Sequence, residues 1–254
     1  MQQSWRLIPE TVASGVTHMA IDTWLLNGLI TGYGVPTLRF YRWSPIAVSL
    51  GYHQRRWPEH WQALSWQGQP IELVKRPTGG RAVLHQGDFT YALTMSIDGV
   101  SRQDLYHSIC EALIAAWEKI GVSLTYGTAG REYYHQPNCF ATATPADLVT
   151  STGYKLVGSA QLRRDRCLLQ QGTMRLWPNP ALYQQVFGES VDSPQLADIL
   201  PEHPSQAWLQ QVSDLIVEAL GKQFGVVFKE KPLTGDEQQR AMKAYGEDVI
   251  PQRF

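Results

Sequence analysis

The sequence predicts an α+β fold in which helices flank a mixed sheet. Strand-like segments come in short neighbouring groups, and long helical patterns separate and follow these groups. A parallel sheet would instead require strands and helices to alternate strictly. The chain has 254 residues, 43% of them apolar, enough for a substantial core. We therefore expect a single domain over residues 1–254, with a helical C-terminal part from about residue 200.

The first part of the chain predicts one helix followed by strands. Apolar residues recur at helical spacing from Thr17 to Leu29, and Thr17 suits the N-cap. Ser44-Pro45 is a turn signal that predicts two adjacent strands at 37–43 and 47–52. A short helix is predicted from Trp57 to Trp66, because Pro58 suits its first turn. Further strands are predicted at 71–74, 82–84 and 90–96.

The second part contains the most regular helical pattern. Apolar residues follow a helical period from Ser101 to Ile120, and Gly121 stands where a C-terminal cap belongs. Strand character returns at 122–126, and 137–143 is predicted as a loop. The remaining predicted elements are strands at 154–157 and 168–169 and helices at 180–187 and 206–224.

Charge and hydropathy exclude several classes of function. Lys and Arg together number 22 and Asp and Glu 23, so the charge balance predicts neither nucleic acid nor an anionic membrane as a partner. The N-terminus has no charged segment leading into an apolar one, and no stretch approaches the roughly 18 apolar residues of a membrane span. We expect a cytoplasmic protein.

The three cysteines argue against a disulfide framework and against zinc. Cys110, Cys139 and Cys167 are odd in number, widely spaced, and form no C-x-x-C pair. Cys110 lies among apolar residues of the long helix, and Cys167 precedes an apolar pair, so both are expected in the core. Cys139 lies in a polar loop after Pro137, where a cysteine is either reactive or inert.

The segment K-R-P-T-G-G-R-A-V-L-H, at 75–85, combines backbone freedom with charge. Gly79-Gly80 lets a ligand approach the main chain, and Arg76 and Arg81 flank it, as in a cradle for an anion or an amide. The segment matches neither G-x-G-x-x-G nor the P-loop pattern, and it precedes a strand instead of opening a helix. A β-hairpin with a two-glycine turn would explain the same residues equally well without any bound ligand.

Further segments after this one carry a family resemblance. N-C-F at 138–140, G-Y-K-L-V-G-S-A-Q at 153–161 and L-L-Q-Q-G-T at 168–173 follow in that order. Together with T-H-M-A-I-D, P-T-L-R-F-Y-R-W-S-P and S-L-G-Y-H-Q, they make the chain resemble the biotin/lipoate protein ligase superfamily. The resemblance is greatest to the cysteine-dependent octanoyl transferases of that superfamily, and it extends to about residue 190.

The resemblance implies a catalytic domain whose central sheet is largely antiparallel and borders an acyl tunnel. It implies Cys139 as the nucleophile and Lys155 as the active-site lysine. The other residues implied in substrate binding are Arg76, Thr78, Gly79, Gly80, His85, Gly158, Ser159 and Ala160. No cofactor or metal is implied, because a thioester substrate arrives already activated.

The same resemblance implies two protein partners. Octanoyl-acyl carrier protein would donate the acyl group, and a lysine of a lipoyl domain would accept it. The acceptor would be a glycine-cleavage H protein or a dehydrogenase subunit. We expect a monomer.

The chemistry of Cys139 and Lys155 also follows from the residue types. A thiolate is the nucleophile, and a nearby ammonium favours the charged sulfur. Cys139 would then attack a thioester and hold the acyl group, while Lys155 stabilises the oxyanion or moves a proton. Without the resemblance, Lys155 would be predicted as a surface lysine.

Several polar residues have ordinary structural interpretations. His85 is predicted either as a hydrogen-bonded histidine at a strand end or as a site residue. Asp88 and Asp147 are predicted as turn or cap residues without chemistry. The basic cluster Arg163, Arg164 and Arg166 is predicted as a solvated turn, with docking of an acidic carrier as the alternative.

Three other functions remain open at this point. An ATP-dependent lipoate-protein ligase would share the fold, although Cys139 argues against it. Octanoyl transfer between two lipoyl domains is a close relative of the predicted reaction. A non-catalytic module that binds an acyl chain or a carrier would form no covalent adduct. Biotin transfer is disfavoured because the sequence lacks a G-R-G-R-x-G loop.

Overall fold

The computed structural model describes residues 2–97, 99–128, 138–140, 147–188, 200–201 and 205–248. The helices are α1 (Gly15–Ile30), α2 (Arg102–Glu118), α3 (Pro180–Phe187), α4 (Gln206–Phe224) and α5 (Gly235–Asp248), with one 3-10 helix at Glu59–Ala63. The first strands are β1 (Gln3–Ala13), β2 (Thr37–Trp43), β3 (Ala47–Leu50), β4 (Ser65–Trp66), β5 (Gln69–Pro70), β6 (Glu72–Lys75) and β7 (Val83–His85). The remaining strands are β8 (Asp88–Ser96), β9 (Leu124–Tyr126), β10 (Asp147–Thr150), β11 (Lys155–Arg164), β12 (Cys167–Arg175) and β13 (Val226–Glu230).

Eight of these strands form one large sheet in the order β13-β1-β2-β8-β12-β11-β10-β9. The pairings of β1 with β13 and with β2 are parallel, and the other pairings in this sheet are antiparallel. The predicted α+β fold with a mixed, largely antiparallel sheet is confirmed.

Strand β8 shows how the two faces of the sheet are used. Side chains alternate between faces along a strand. Phe89, Tyr91, Leu93 and Met95 enter the main core together with residues of α2 and α4. Ala92 packs on the other face in a cluster that includes residues of α1. Helices therefore cover both faces of the large sheet.

A smaller sheet stands beside the large one, in the order β6-β3-β7. Its strands pack with α3 and the 3-10 helix in a cluster that contains Val48, Leu84 and Trp61. The predicted adjacent strands at 37–43 and 47–52 are both present, but they belong to different sheets. Because β3 separates β6 from β7, the glycine segment is a crossover between non-neighbouring strands, and the hairpin interpretation is wrong.

Local signals explain which boundaries were predicted correctly. Helices α3 and α4 have the predicted limits, with Asn179 and Ser205 as N-caps that accept backbone hydrogen bonds. Helix α1 begins two residues before the predicted N-cap, since the side chain of Ser14 accepts from the backbone N–H of Thr17. The helix predicted at 57–66 is wrong except for its 3-10 turn, because the chain then pairs Ser65–Trp66 with Gln69–Pro70.

Five strands were not predicted: β1, β4, β5, β10 and β13. Helix α5 had no predicted bounds, although it lies in the C-terminal part that was expected to be helical. Strand β1 contains Pro9 and shifts its register on β2 between Ile8 and Thr11, which obscures the alternation expected of a strand. Parts of the predicted loop at 137–143 lie outside the described residues. Within the described ranges, no helix is long and apolar enough to cross a membrane.

Candidate active site

A cavity of about 490 Å³ lies between the large sheet, the small sheet and the segment 138–140. Most of the residues predicted for the site line this cavity: Cys139, Lys155, Arg76, Gly79, Gly80, His85, Gly158, Ser159 and Ala160. Thr78 does not line it and is fully buried behind the glycine segment. Polar and aromatic residues that the sequence did not assign to the site complete the lining, among them Trp43, Ser49, Phe140, Asp147, Gln171 and Thr173.

Cys139 is held in place by backbone contacts with the end of the glycine segment. Its N–H donates to the Ala82 carbonyl at 2.9 Å, and Asn138 forms a parallel bridge with Ala82. The Asn138 side chain accepts from the Phe140 N–H at 2.9 Å, which closes a tight turn around the cysteine. The Cys139 side chain is half-buried at the cavity wall. The segment 75–85 thus positions the cysteine as well as lining the cavity.

Lys155 reaches the same point from strand β11. The register of β11 on β10 shifts between Leu148 and Val149, and this irregularity lies beside Lys155. The Lys155 Nζ donates to the Cys139 carbonyl at 2.7 Å and lies 3.9 Å from the Cys139 Sγ. It also lies 4.8 Å from the centre of the Phe140 ring, over its face. The structure thus brings Cys139 and Lys155 together.

The interpretation of Asp147 as a turn or cap residue is wrong. Asp147 begins β10, and its carboxylate forms an ion pair with Lys155, with 2.9 Å between Oδ1 and Nζ. Both side chains are almost completely buried. The two residues lie on the neighbouring strands β10 and β11 of a β-hairpin, in which Asp147 pairs with Gly158 and Lys155 pairs with Val149. The T-S-T-G sequence at 150–153 is the turn signal for this hairpin. That signal was available in the sequence and was not used.

Arg76 organises the glycine segment from inside. Its guanidinium donates to the carbonyl oxygens of Gly79 and Arg81 at 2.8 and 2.7 Å and to the carbonyl of Ser49 at 2.9 Å. Gly80 has a φ of +93°, and a Cβ on Gly51 would lie only 1.9 Å from the Gly80 carbonyl oxygen. Glycine is therefore required at Gly80 for the backbone conformation and at Gly51, which directly follows β3, for the close approach of the two backbones.

His85 belongs to the cavity wall and is also fully hydrogen-bonded. The Ser49 hydroxyl lies 2.8 Å from Nε2, the Asp88 carboxylate lies 2.7 Å from Nδ1, and the imidazole stacks on Trp43 with ring centres 3.6 Å apart. Burial lowers the pKa of His85, and the nearby Arg76 guanidinium lowers it further, while Asp88 acts in the opposite direction. Asp88 is therefore the partner that orients His85, and its interpretation as a turn or cap residue is wrong.

A buried polar network supports the floor of the cavity. Thr78 donates to the Gln171 side-chain oxygen at 2.7 Å, and the Gln171 amide donates to Asp22 at 2.7 Å. Asp22 also accepts from Arg39 at 2.8 Å and from the Tyr41 hydroxyl at 2.9 Å. Gln171 and Tyr41 line the cavity, so this network fixes two floor residues to helix α1.

The other cysteines and the basic cluster lie elsewhere. Cys110 and Cys167 are buried in the core as expected, and burial raises the pKa of Cys110 to about 12. Asp165 and Arg166 have positive φ values and form the turn between β11 and β12. Arg164 and Arg166 are exposed there and Arg163 is half-buried, as the solvated-turn interpretation predicts. In the part of the chain that the structure describes, no three His, Cys, Asp or Glu residues form a metal-binding group.

Comparison with protein families gives a match over most of the chain. The family described as "Lipoyl protein ligase A/B catalytic domain" matches residues 14–221. Proteins named octanoyltransferase LipM are similar to this chain at 35% identity in Carboxydothermus hydrogenoformans and 31% identity in Kyrpidia tusciae. The first similarity covers 68% of this chain and 65% of the relative, and the second covers 94% of each. The match therefore spans just under two thirds of one relative's length and nearly the whole of the other's.

Solved structures share the fold at low sequence identity. A putative lipoate protein ligase from T. acidophilum with bound lipoic acid has a TM-score of 0.76 at 21% identity and covers 97% of this chain and 96% of its own. Lipoate-protein ligase A bound with ATP has a TM-score of 0.74 at 19% identity, with 97% and 95% coverage. These likenesses describe the arrangement of the sheet and its helices.

Proposed function

Because the chain belongs to the lipoyl protein ligase A/B catalytic-domain family, we propose that it is an octanoyl transferase of protein lipoylation that works through a thioester on Cys139. The octanoyl group comes from acyl carrier protein and goes to a lysine of a lipoyl domain. The acceptor is a glycine-cleavage H protein or a dehydrogenase subunit. In this proposal the chain acts as a monomeric single domain in the cytoplasm and uses no cofactor.

The observation that carries the proposal is the pairing of a cysteine and a lysine at the wall of a largely apolar cavity. Cys139 is half-buried, and the Lys155 Nζ lies 3.9 Å from its sulfur. A cysteine with a basic side chain beside its sulfur is the arrangement that nucleophilic catalysis by a thiol requires. The similarity to proteins named octanoyltransferase supports octanoyl as the acyl group that is transferred.

The first half-reaction moves the acyl group onto the enzyme. The Cys139 sulfur attacks the carbonyl carbon of the donor thioester, a new C–S bond forms, and the bond to the carrier's sulfur breaks. One thioester is exchanged for another, so no ATP is consumed. The cavity of about 490 Å³ lies in the size range of small-molecule sites and receives the acyl chain.

The tetrahedral intermediate needs hydrogen-bond donors at its oxyanion. The N–H groups of Cys139 and Phe140 already donate to the Ala82 carbonyl and the Asn138 side chain. The ammonium of Lys155 is next to the sulfur, and the backbone of Gly79-Gly80 lines the same cavity. We assign the oxyanion to Lys155, assisted by the glycine backbone.

The second half-reaction delivers the acyl group to the acceptor. The lysine amine of the lipoyl domain attacks the Cys139 thioester, an amide forms, and the thiolate leaves. The attacking amine loses a proton, which the leaving sulfur accepts. Lys155 stabilises both the oxyanion and the departing thiolate.

Intact mass spectrometry tests the covalent step. The protein is mixed with octanoyl-acyl carrier protein without ATP, beside the variants Cys139→Ala and Cys167→Ala as a matched pair. We expect one octanoyl group on the wild type and on Cys167→Ala, and none on Cys139→Ala. Addition of a lipoyl domain must then discharge the adduct and produce the octanoylated domain.

The same assay separates the rival functions. An ATP-dependent ligase would keep activity in Cys139→Ser and would require ATP and free lipoate. Transfer between lipoyl domains would form the same adduct from an octanoylated lipoyl domain and not from acyl carrier protein. Binding of the carrier without any adduct on the wild type would refute the covalent mechanism.

A further inference from the structure

The proposed acyl-enzyme could inactivate itself by transferring its acyl group to one of its own side chains. Once Cys139 carries an octanoyl thioester, the nearest amine is the enzyme's own Lys155, whose Nζ lies 3.9 Å from the sulfur. A neutral amine so close to a thioester is a nucleophile within reach of its carbonyl carbon. Transfer from sulfur to nitrogen would leave a stable amide on the enzyme, and the enzyme would be lost for further turnover.

The surroundings of Lys155 oppose this side reaction. The Asp147 carboxylate lies 2.9 Å from Nζ, the Cys139 carbonyl lies 2.7 Å away, and the face of the Phe140 ring lies 4.8 Å away. A carboxylate and an aromatic face both attract an ammonium group. Because Lys155 and Asp147 are each almost completely buried, their mutual attraction is poorly screened by solvent.

We propose that Asp147 is a positioning residue that holds the Lys155 ammonium in an ion pair and so protects the acyl-enzyme from transferring its octanoyl group to Lys155. An ammonium has three donor hydrogens and no lone pair. The Asp147 carboxylate, the Cys139 carbonyl and the sulfur all lie around Nζ, at 2.9, 2.7 and 3.9 Å. In this state Lys155 can stabilise negative charge on oxygen or sulfur, but it cannot attack a carbonyl carbon. The inference rests on the proposed function of Cys139.

The side reaction that Asp147 prevents can be written in full. The Lys155 amine attacks the thioester carbonyl carbon, an amide C–N bond forms, and the C–S bond to Cys139 breaks. The sulfur leaves as a thiolate and takes up the proton that the amine loses. No oxidant, cofactor or second substrate is needed, so loss of the protecting charge is sufficient for the reaction.

Hydroxylamine distinguishes the two adducts, since it releases an acyl group from a thioester and leaves an amide intact. We incubate four proteins with octanoyl-acyl carrier protein: the wild type, Asp147→Asn, Asp147→Ser and Asp147→Glu. Each is then treated with hydroxylamine, and its intact mass is measured by mass spectrometry. Asp214→Asn on the exposed face of α4 serves as the matched charge control. Circular dichroism establishes that each variant is folded.

We expect the adduct of the wild type, Asp147→Glu and Asp214→Asn to be released completely. In Asp147→Asn and Asp147→Ser, the fraction that resists hydroxylamine should rise by roughly tenfold or more, because loss of the ion pair no longer holds the Lys155 Nζ away from the thioester carbon. Peptide mapping should place this fraction on Lys155. The double variant Asp147→Asn with Lys155→Arg should contain none of it, since a guanidinium is not acylated under these conditions.

Each contrary result has a separate meaning. Complete release of the adduct from both folded, charge-removing variants overturns the role of Asp147. Absence of any adduct from those variants while the wild type is acylated also overturns it, because Asp147 would then be needed for acylation itself. Absence of an adduct from the wild type contradicts the proposed function instead.

Discussion

The imidazole of His18 makes the stability of this fold sensitive to acid. His18 is fully buried on α1, next to the ion pair of Arg39 and Asp22. The Arg39 guanidinium lies 2.9 Å from its Nδ1, and the Arg42 carbonyl lies 2.9 Å from its Nε2. A guanidinium can only donate, so Nδ1 must accept and the proton must be on Nε2. Protonation of Nδ1 would remove this hydrogen bond and place two cations side by side.

These contacts lower the pKa of His18 to about 3, first through burial and then through the charge of Arg39. An unfolded chain binds the proton with a pKa of about 6.5, so below that pH the unfolded state takes up protons that the folded state does not. Stability is therefore fully present above pH 6.5 and falls as the pH decreases toward 3. Between pH 8 and pH 5 this single group costs about 2 kcal/mol of the free energy of unfolding.

Urea denaturation at pH 8, 6.5 and 5 measures this contribution in the wild type and in His18→Gln, with the exposed His60→Gln as control. The glutamine variant has no titrating group at this position, so its loss of stability between pH 8 and pH 5 should be smaller by about 2 kcal/mol. His60→Gln should follow the wild type. Equal losses in His18→Gln and the wild type would refute the assignment of the acid sensitivity to His18.

Two further substitutions test the geometry around the cavity. A Cβ at Gly158 would lie 3.2 Å from the Lys155 Cε. Gly158→Ala should therefore displace the lysine and lower kcat for octanoyl transfer by roughly tenfold, with little change in thermal stability. An unchanged kcat would contradict this prediction. Asp22→Asn leaves Arg39 buried without its counter-charge. The free energy of unfolding, measured by urea denaturation, should fall by about 3–5 kcal/mol. A loss below about 1 kcal/mol would show that the ion pair is not required for stability.

Local patterns in the sequence predicted the elements whose signals are strong. The long helix at 102–118 has a regular apolar period and a serine N-cap. Helices α3 and α4 have Asn179 and Ser205 as N-caps. Residues close together in the chain therefore determine where these three helices begin. Strand β1 escaped prediction because Pro9 and its irregular register obscure the alternation. The turn signal at Ser44-Pro45 separates β2 from β3, and the T-S-T-G sequence at 150–153 is a signal of the same kind between β10 and β11.

The sequence did not predict which distant segments pair with each other in the folded protein. The glycine segment looked like a hairpin because two strands follow each other in the chain, yet β3 lies between them in the sheet. Likewise, Asp147 and Asp88 looked like turn residues because a carboxylate in a short segment carries no mark of its partner. Strand order depends on which apolar faces pack together in three dimensions, and no local pattern encodes that choice.

By itself, the sequence determined the α+β class, the positions of the main helices and the motif set that points to Cys139 and Lys155. The tertiary structure decided that these two side chains meet, that Asp147 completes the group, and that Thr78 stands behind the cavity wall. The physical reason is distance. Propensity, capping and periodicity act over a few residues, whereas the charge and burial of a site arise from segments that only folding brings together.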